Sequence, residues 1–274
     1  MIARYTRADV NDIALIGERG REVREFIEGA LGKEGLRKSV VIVATSDESP
    51  LMRVRAAYSA CAISQYFANA GLDVMLMLDS VTRFAHAQRQ IGLAVGEPPA
   101  TRGYTPSVFA ALPVLLERAG TMGNGSVTGF YTTLVEGDDM TEPVADAVRG
   151  ILDGHIALSR TLAQKGHFPA IDVLDSVSRV ASEVSTPQRL DDMMTLRQLL
   201  GAYTEVEELV QIGAYAQGSN PMADAAIRLK PHLDALVQQG TGEVSPMEQT
   251  LEAMGAIAAQ ARGMTAQAPP GMGR

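Results

Sequence analysis

The sequence predicts an α/β fold, a mostly parallel sheet flanked by helices and followed by a helical C-terminal domain. Three observations carry this prediction. Short, continuously apolar runs alternate with helical segments, as in a parallel sheet covered on both faces. One of those runs, Val74-Met75-Leu76-Met77-Leu78, ends abruptly at Asp79, and Arg83 follows four positions later. After about Glu183 the strand-like runs stop, and helical stretches bounded by Pro and Gly take over.

Taken in order, Ile13 to Ile16 reads as a first buried strand, followed by helical Glu22 to Leu31. Val40 to Ala44 is a second strand before helical Leu51 to Ala70. Val74 to Leu78 is a third, leading into Val81 to Ile91. Further strands are expected over Val127 to Val135 and near Ala170-Ile171-Asp172. Helices are then expected over Gln188 to Leu200, Val206 to Ala216, Met222 to Gln239 and Pro246 to Arg262. In the last, Leu251, Met254, Ile257 and Ala261 recur at intervals of three and four and form one apolar stripe. Residues 1–183 thus read as the α/β core, 184–263 as the helical domain and the Pro/Gly-rich 264–274 as a frayed tail.

Composition narrows the function. The hydrophobic share, 46%, is enough for a sizeable core, and that core is aliphatic because aromatics make up only 5%. A net charge of −8 argues against a broad nucleic-acid or anionic-membrane surface. No apolar run approaches the roughly 20 residues of a membrane-spanning helix. The single cysteine, Cys61, lies among Ala60, Ala62 and Ile63, which suits a small buried residue in a reducing cytoplasm.

Several segments carry chemistry. Asp79 has two readings, a helix N-cap or a carboxylate delivered to the edge of a sheet, facing Mg²⁺ and a phosphate. Ile16-Gly17-Glu18-Arg19-Gly20-Arg21-Glu22 also follows an apolar strand. A glutamate there can hold a water for attack on a terminal phosphate, or simply begin a solvated helix. Arg179 follows a Ser-rich turn, where it can stabilise phosphoryl charge or make a structural ion pair. Gly96 to Ser107 is a long Gly/Pro loop of the kind that carries function on a rigid sheet. The four histidines lack metal-ligand spacing, and no Gly-x-Ser-x-Gly elbow occurs. Gly123 to Gly129 lacks the third glycine of a dinucleotide loop and has no expected strand before it. Gly32-Lys33-Glu34 is not a phosphate loop, since Ile27 occupies the place of the first glycine.

Together these segments resemble the ATPases of flagellar and type III protein export, relatives of the catalytic subunits of rotary ATP synthases. The resemblance runs from Ile2 to about Ala261. Its most specific stretches are Gly17 to Val23, Leu78 to Ala85, Gly96 to Phe109, Leu134 to Met140 and Pro169 to Arg179. It implies a RecA-like core. Glu18 matches the catalytic glutamate that positions the attacking water, Arg19 a residue near the terminal phosphate, and Glu22 one in the water shell of Mg²⁺. Asp79 matches the Walker B aspartate, which holds Mg²⁺ through water, with Arg83 beside it. Phe168 stands where the family places an aromatic against adenine, and Arg179 matches the arginine finger that serves a neighbouring subunit.

The resemblance further implies ATP and Mg²⁺ as cofactors and a homohexamer as the active form. Implied partners are export substrates, their chaperones, a central stalk and regulator proteins, with no nucleic acid. The implied location is cytoplasmic, peripheral at the inner membrane. The family's phosphate-binding Walker A loop and first strand are expected to precede Met1, so this polypeptide alone is expected to be inactive toward ATP. The alternatives are a non-catalytic module offering Arg179 and the C-terminal helices to full-length subunits, or a rotary ATP synthase subunit. Gly96 to Tyr104 and Ser176 to Arg179 within one chain argue against the rotary subunit. The acidic charge argues against an RNA-translocating hexamer.

Overall fold

The computed structural model describes residues 2–266 except Glu136 and Asp138. In chain order, helix α1 (Ile2–Tyr5) leads to strand β1 (Val10–Ile16). A continuous helical stretch follows, formed by α2 (Gly20–Glu25), a π-helical segment Phe26–Leu31 and α3 (Gly32–Arg37). Next come β2 (Ser39–Ala44), α4 (Pro50–Asn69), β3 (Asp73–Asp79), α5 (Val81–Ala94) and α6 (Pro106–Leu116). The hairpin β4 (Gly120–Met122) and β5 (Gly125–Tyr131) precedes α7 (Pro143–Ile151). Then follow β6 (Gly154–Leu158), α8 (Arg160–Gln164), β7 (Ile171–Ser178) and α9 (Ala181–Val184). Three long helices complete the described chain: α10 (Pro187–Gln211), α11 (Pro221–Val237) and α12 (Met247–Ala266).

The chain divides into two compact units, Met1–Leu152 and Asp153–Arg274. In the first, the sheet runs β2-β1-β3-β5-β4, with every neighbouring pair parallel except β4–β5. Both faces of the sheet are covered, which is why Ile13 to Ile16, Val40 to Ala44 and Val74 to Leu78 read as unbroken apolar runs. Ala14, Ile16, Val74, Leu76 and Leu78 pack with Phe84, Leu112 and Leu115 in one core. Ile13 and Leu15, the alternate residues of β1, pack with Val23 and Leu31 on the other side. Cys61 is buried as expected, and burial pushes its thiol up to about 11.

In the second unit, β6 and β7 pair antiparallel, apart from the five-stranded sheet. Leu196, Leu199, Ala202, Leu229, Leu233, Ile257 and Ala261 join the three long helices in one core.

Four expectations are corrected. The strand expected to reach Val135 stops at Tyr131, because after Thr132 the chain leaves β3 for α5, where the Leu134 amide donates to Thr82 Oγ1 at 2.9 Å. The helices expected over 188–200 and 206–216 are one helix, α10. Gly201 does not break it, since Leu199, Ala202 and Val206 on its flanks are buried and offset the roughly 1 kcal/mol cost of a mid-helix glycine. A strand does precede Gly123: β4 is too short to show in the hydropathy pattern, and Gly123-Asn124 is a two-residue hairpin turn. Finally, α12 runs through Ala266, three residues into the expected tail, while Met1 and 267–274 lie outside the described residues.

Candidate active site

Adjacent parallel strands bring the predicted acids together. The register pairs Leu15 of β1 with Asp79 of β3, so the two strands deliver Gly17-Glu18 and Asp79 to the same edge. That edge, at the C-terminal ends of parallel strands, is where open α/β sheets bind ligands. The amide of Gly17 donates to the Ala44 carbonyl at 2.7 Å, and that of Ser46 to the Glu18 carbonyl at 3.0 Å. These bonds tie the Glu18 turn to the end of β2.

Gly17 is required by this turn. Its φ is +75°, and a Cβ there would stand 2.9 Å from the Cβ of Arg83. The side chain of Arg83 therefore lies directly against the turn that carries Glu18. Its Nε is buried without a hydrogen-bond partner among the described residues.

The N-cap reading of Asp79 is not met, because its neighbour takes that place. Ser80 is the N-cap of α5, its Oγ accepting from the amide of Arg83 at 3.3 Å. Asp79 is thereby released from capping, and its Oδ1 accepts from Thr132 Oγ1 at 2.6 Å. Thr132 is the residue that sequence reasoning missed. It directly follows β5, the strand hydrogen-bonded to β3, and extending that strand to Val135 concealed its place at the same edge.

Charge interactions connect the cluster. Burial pushes the carboxyl of Glu18 upward, assisted by the nearby charge of Asp79 and a hydrogen bond with Glu22; Arg83 opposes the shift. Glu18, Glu22, Asp79 and Arg83 are thus brought together. Arg19 meets Glu22 only through an exposed pair at 3.4 Å, with 81% of its own side chain open to solvent.

Elsewhere in the first unit, Arg102 pairs with Asp139 at 2.7 Å and links the Gly/Pro loop to the segment after β5. Glu136 and Asp138 of the Leu134 to Met140 motif lie outside the described residues. Phe168 and Arg179 belong to the second unit. Phe168 is 57% exposed, and its carbonyl accepts from the amide of Gln239. Arg179 immediately follows β7, its amide donating to the Asp153 carbonyl at 2.7 Å.

Among the described residues, no three His, Cys, Asp or Glu side chains are disposed to hold a metal ion by themselves. The acids instead suit an ion that keeps water in its shell and takes further oxygen ligands from a phosphate. Three carboxylates beside an unpartnered guanidinium nitrogen fit a bound cation and anion together, as in Mg²⁺ with a nucleotide.

Two family models match the chain. The ATP synthase alpha/beta family, nucleotide-binding domain, matches residues 1–178. The chain belongs to this family. The C-terminal domain of the type III secretion ATPase EscN matches residues 185–256. Thus the two family matches meet between 178 and 185, whereas the compact units divide at Leu152/Asp153.

Among curated relatives in the ATP synthase alpha/beta family, the flagellum-specific ATP synthase of Bacillus subtilis is 59% identical over 254 residues, which is 93% of this chain and 58% of that protein. Assembled EscN from enteropathogenic E. coli superposes with a TM-score of 0.90 at 46% identity, over 94% of this chain and 62% of that one. EscN in complex with its central stalk EscO gives 0.87 at 45% identity, over 94% and 62%. The chain spans less than two thirds of the length of these relatives.

Proposed function

We propose that this chain supplies the water-activating side of a Mg²⁺–ATP site in an ATPase that energises protein export through a flagellar or type III secretion apparatus. The observation that carries this reading is the placement of Glu18 and Asp79 side by side at the strand ends, with the Glu18 carboxyl pushed upward. A raised carboxyl is a better proton acceptor from water at neutral pH than an ordinary one. Glu18 is the base or orienter of the attacking water, and the Gly17 turn against Arg83 fixes its position. Thr132 orients Asp79, which holds hydrated Mg²⁺, with Glu22 in its water shell. Bound Mg²⁺ supplies neutralisation of phosphate charge. Arg83 and Arg19 face that charge; in the second unit, exposed Phe168 offers an aromatic face of the kind on which adenine stacks.

Arg179 serves the site of a neighbouring subunit, so the working form is a closed homohexamer. The resemblance to assembled EscN, and to EscN with its stalk EscO, supports a ring around a central stalk. The helices of the second unit then contact export substrates, their chaperones and regulators. Among the described residues no helix is long and apolar enough to cross a membrane. This suits a cytoplasmic ring, peripheral at the inner membrane.

A second reading rests on the second unit, where the end of β7 holds Arg179 through its amide bond to the Asp153 carbonyl. In that reading the chain acts as a module that lends Arg179 and its helices to full-length subunits. Titrating it into the B. subtilis relative and measuring ATPase distinguishes the two. Loss of an effect in Glu18→Gln supports the first reading, and loss only in Arg179→Ala the second. An unchanged effect in both variants refutes the site assignment.

A further inference from the structure

β7 is interrupted just before Arg179. Opposite β6, His155 pairs with Val177 and Ala157 with Asp172, so only Ile156 faces the four residues Val173 to Ser176. A bulge of that size leaves its backbone groups without ladder partners. All four of its carbonyls nevertheless have side-chain donors. Arg197 on α10 donates through Nη1 to the carbonyls of Val173 at 2.5 Å and Ser176 at 3.1 Å, and through Nη2 to that of Leu174 at 2.7 Å. The carbonyl of Asp175 lies 2.9 Å from His155 Nε2. On the donor side, the amides of Leu174 and Asp175 both reach Asp172 Oδ1. Ser176 Oγ accepts from the amide of Ala157 at 3.0 Å and so rejoins β6.

We infer that Arg197 is a positioning residue for Arg179: its guanidinium holds the bulge of β7 in shape and thereby fixes the point from which Arg179 projects. A planar fork of donors is what three convergent carbonyls need, and no single ammonium presents it. Charge-assisted bonds to otherwise unpaired carbonyls are strong. The bulge lies within three residues of Arg179, and the strand resumes pairing there through Ser178 and the Arg179 amide. The catalytic consequence rests on the arginine-finger reading of Arg179; the clamp itself does not.

The test has two arms. Hydrogen exchange on the full chain should show amides of 171–179 exchanging about 10- to 100-fold faster in Arg197→Met, with α11 and α12 close to wild type. Arg197→Lys, which keeps the charge but not the fork, should fall between. Wild-type protection of 171–179 in the Met variant overturns the clamp. If the Met variant fails to fold, wild-type protection in the Lys variant overturns it instead.

In mixed assemblies with the full-length relative, Arg197→Met should lower kcat with KM unchanged, and Arg179→Ala/Arg197→Met should be no worse than Arg179→Ala. Additive losses overturn the positioning role. An Arg179→Ala variant without effect refutes the finger reading, while the exchange arm still judges the clamp.

Discussion

Replacing Asp12 by Asn should stabilise the first unit, and only above the acid range. Asp12 is fully buried in β1, beside buried Asn11 and ahead of the aliphatic run Ile13 to Ile16. One carboxylate oxygen accepts from Ser64 Oγ on α4 at 2.8 Å, and the other has no hydrogen-bond partner. Burial pushes its carboxyl from 3.8 to about 6, with the Ser64 bonds pulling partway back. Because the folded value is the higher one, the folded state holds the proton more tightly than the unfolded chain. Stability from that proton is full below about 4 and is lost as pH rises through about 6.

A shift of this size corresponds to about 3 kcal/mol. Asp12→Asn keeps an acceptor for Ser64 and carries no charge. It should match wild type near pH 4 and exceed it by about 2–3 kcal/mol at pH 7.5. In a unit of this size that is about 4–12 °C in melting temperature. Differential scanning calorimetry of both proteins at the two pH values measures the difference. A gain independent of pH, or a loss at pH 7.5, refutes the claim that an ionised buried carboxylate is being tolerated.

Two further substitutions probe the framework. Gly17→Ala combines a left-handed backbone with a Cβ driven against Arg83, and should cost about 1–3 kcal/mol in urea denaturation. Arg262→Ala removes the cation paired with Asp191 and Asp192, leaving Asp192, whose side chain is only 8% exposed, with the Gln188 amide, and should cost about 1–3 kcal/mol. Helical circular dichroism on heating reads that loss in the second unit, and Arg262→Lys should recover part of it.

Some of this molecule was already decided by local sequence. The apolar runs ending at Ile16, Ala44 and Leu78 are strands because a sheet covered on both faces has no polar side to display. Their order along the chain also placed Glu18 and Asp79 at strand ends, which is where ligands meet such sheets. Partners contributed from distant positions were not legible. β4 is too short for hydropathy to register and β6 opens on Gly154-His155, which breaks its apolar run; each is a strand only because β5 or β7 lies beside it. Gly201 looks like a helix end until the buried residues around it join α10 to α11 and α12.

The largest change came at Asp79, where a cap and a site acid share one sequence pattern. Only the folded chain lets Ser80 take the cap and brings Thr132, 53 positions away, onto the freed carboxylate. The bulge before Arg179 was settled in the same way, by Arg197 reaching across from α10. Local sequence fixes which backbone groups and acids need partners. Tertiary structure alone decides which distant side chains satisfy them, because hydrogen bonds act over about 3 Å in space and are indifferent to separation along the chain.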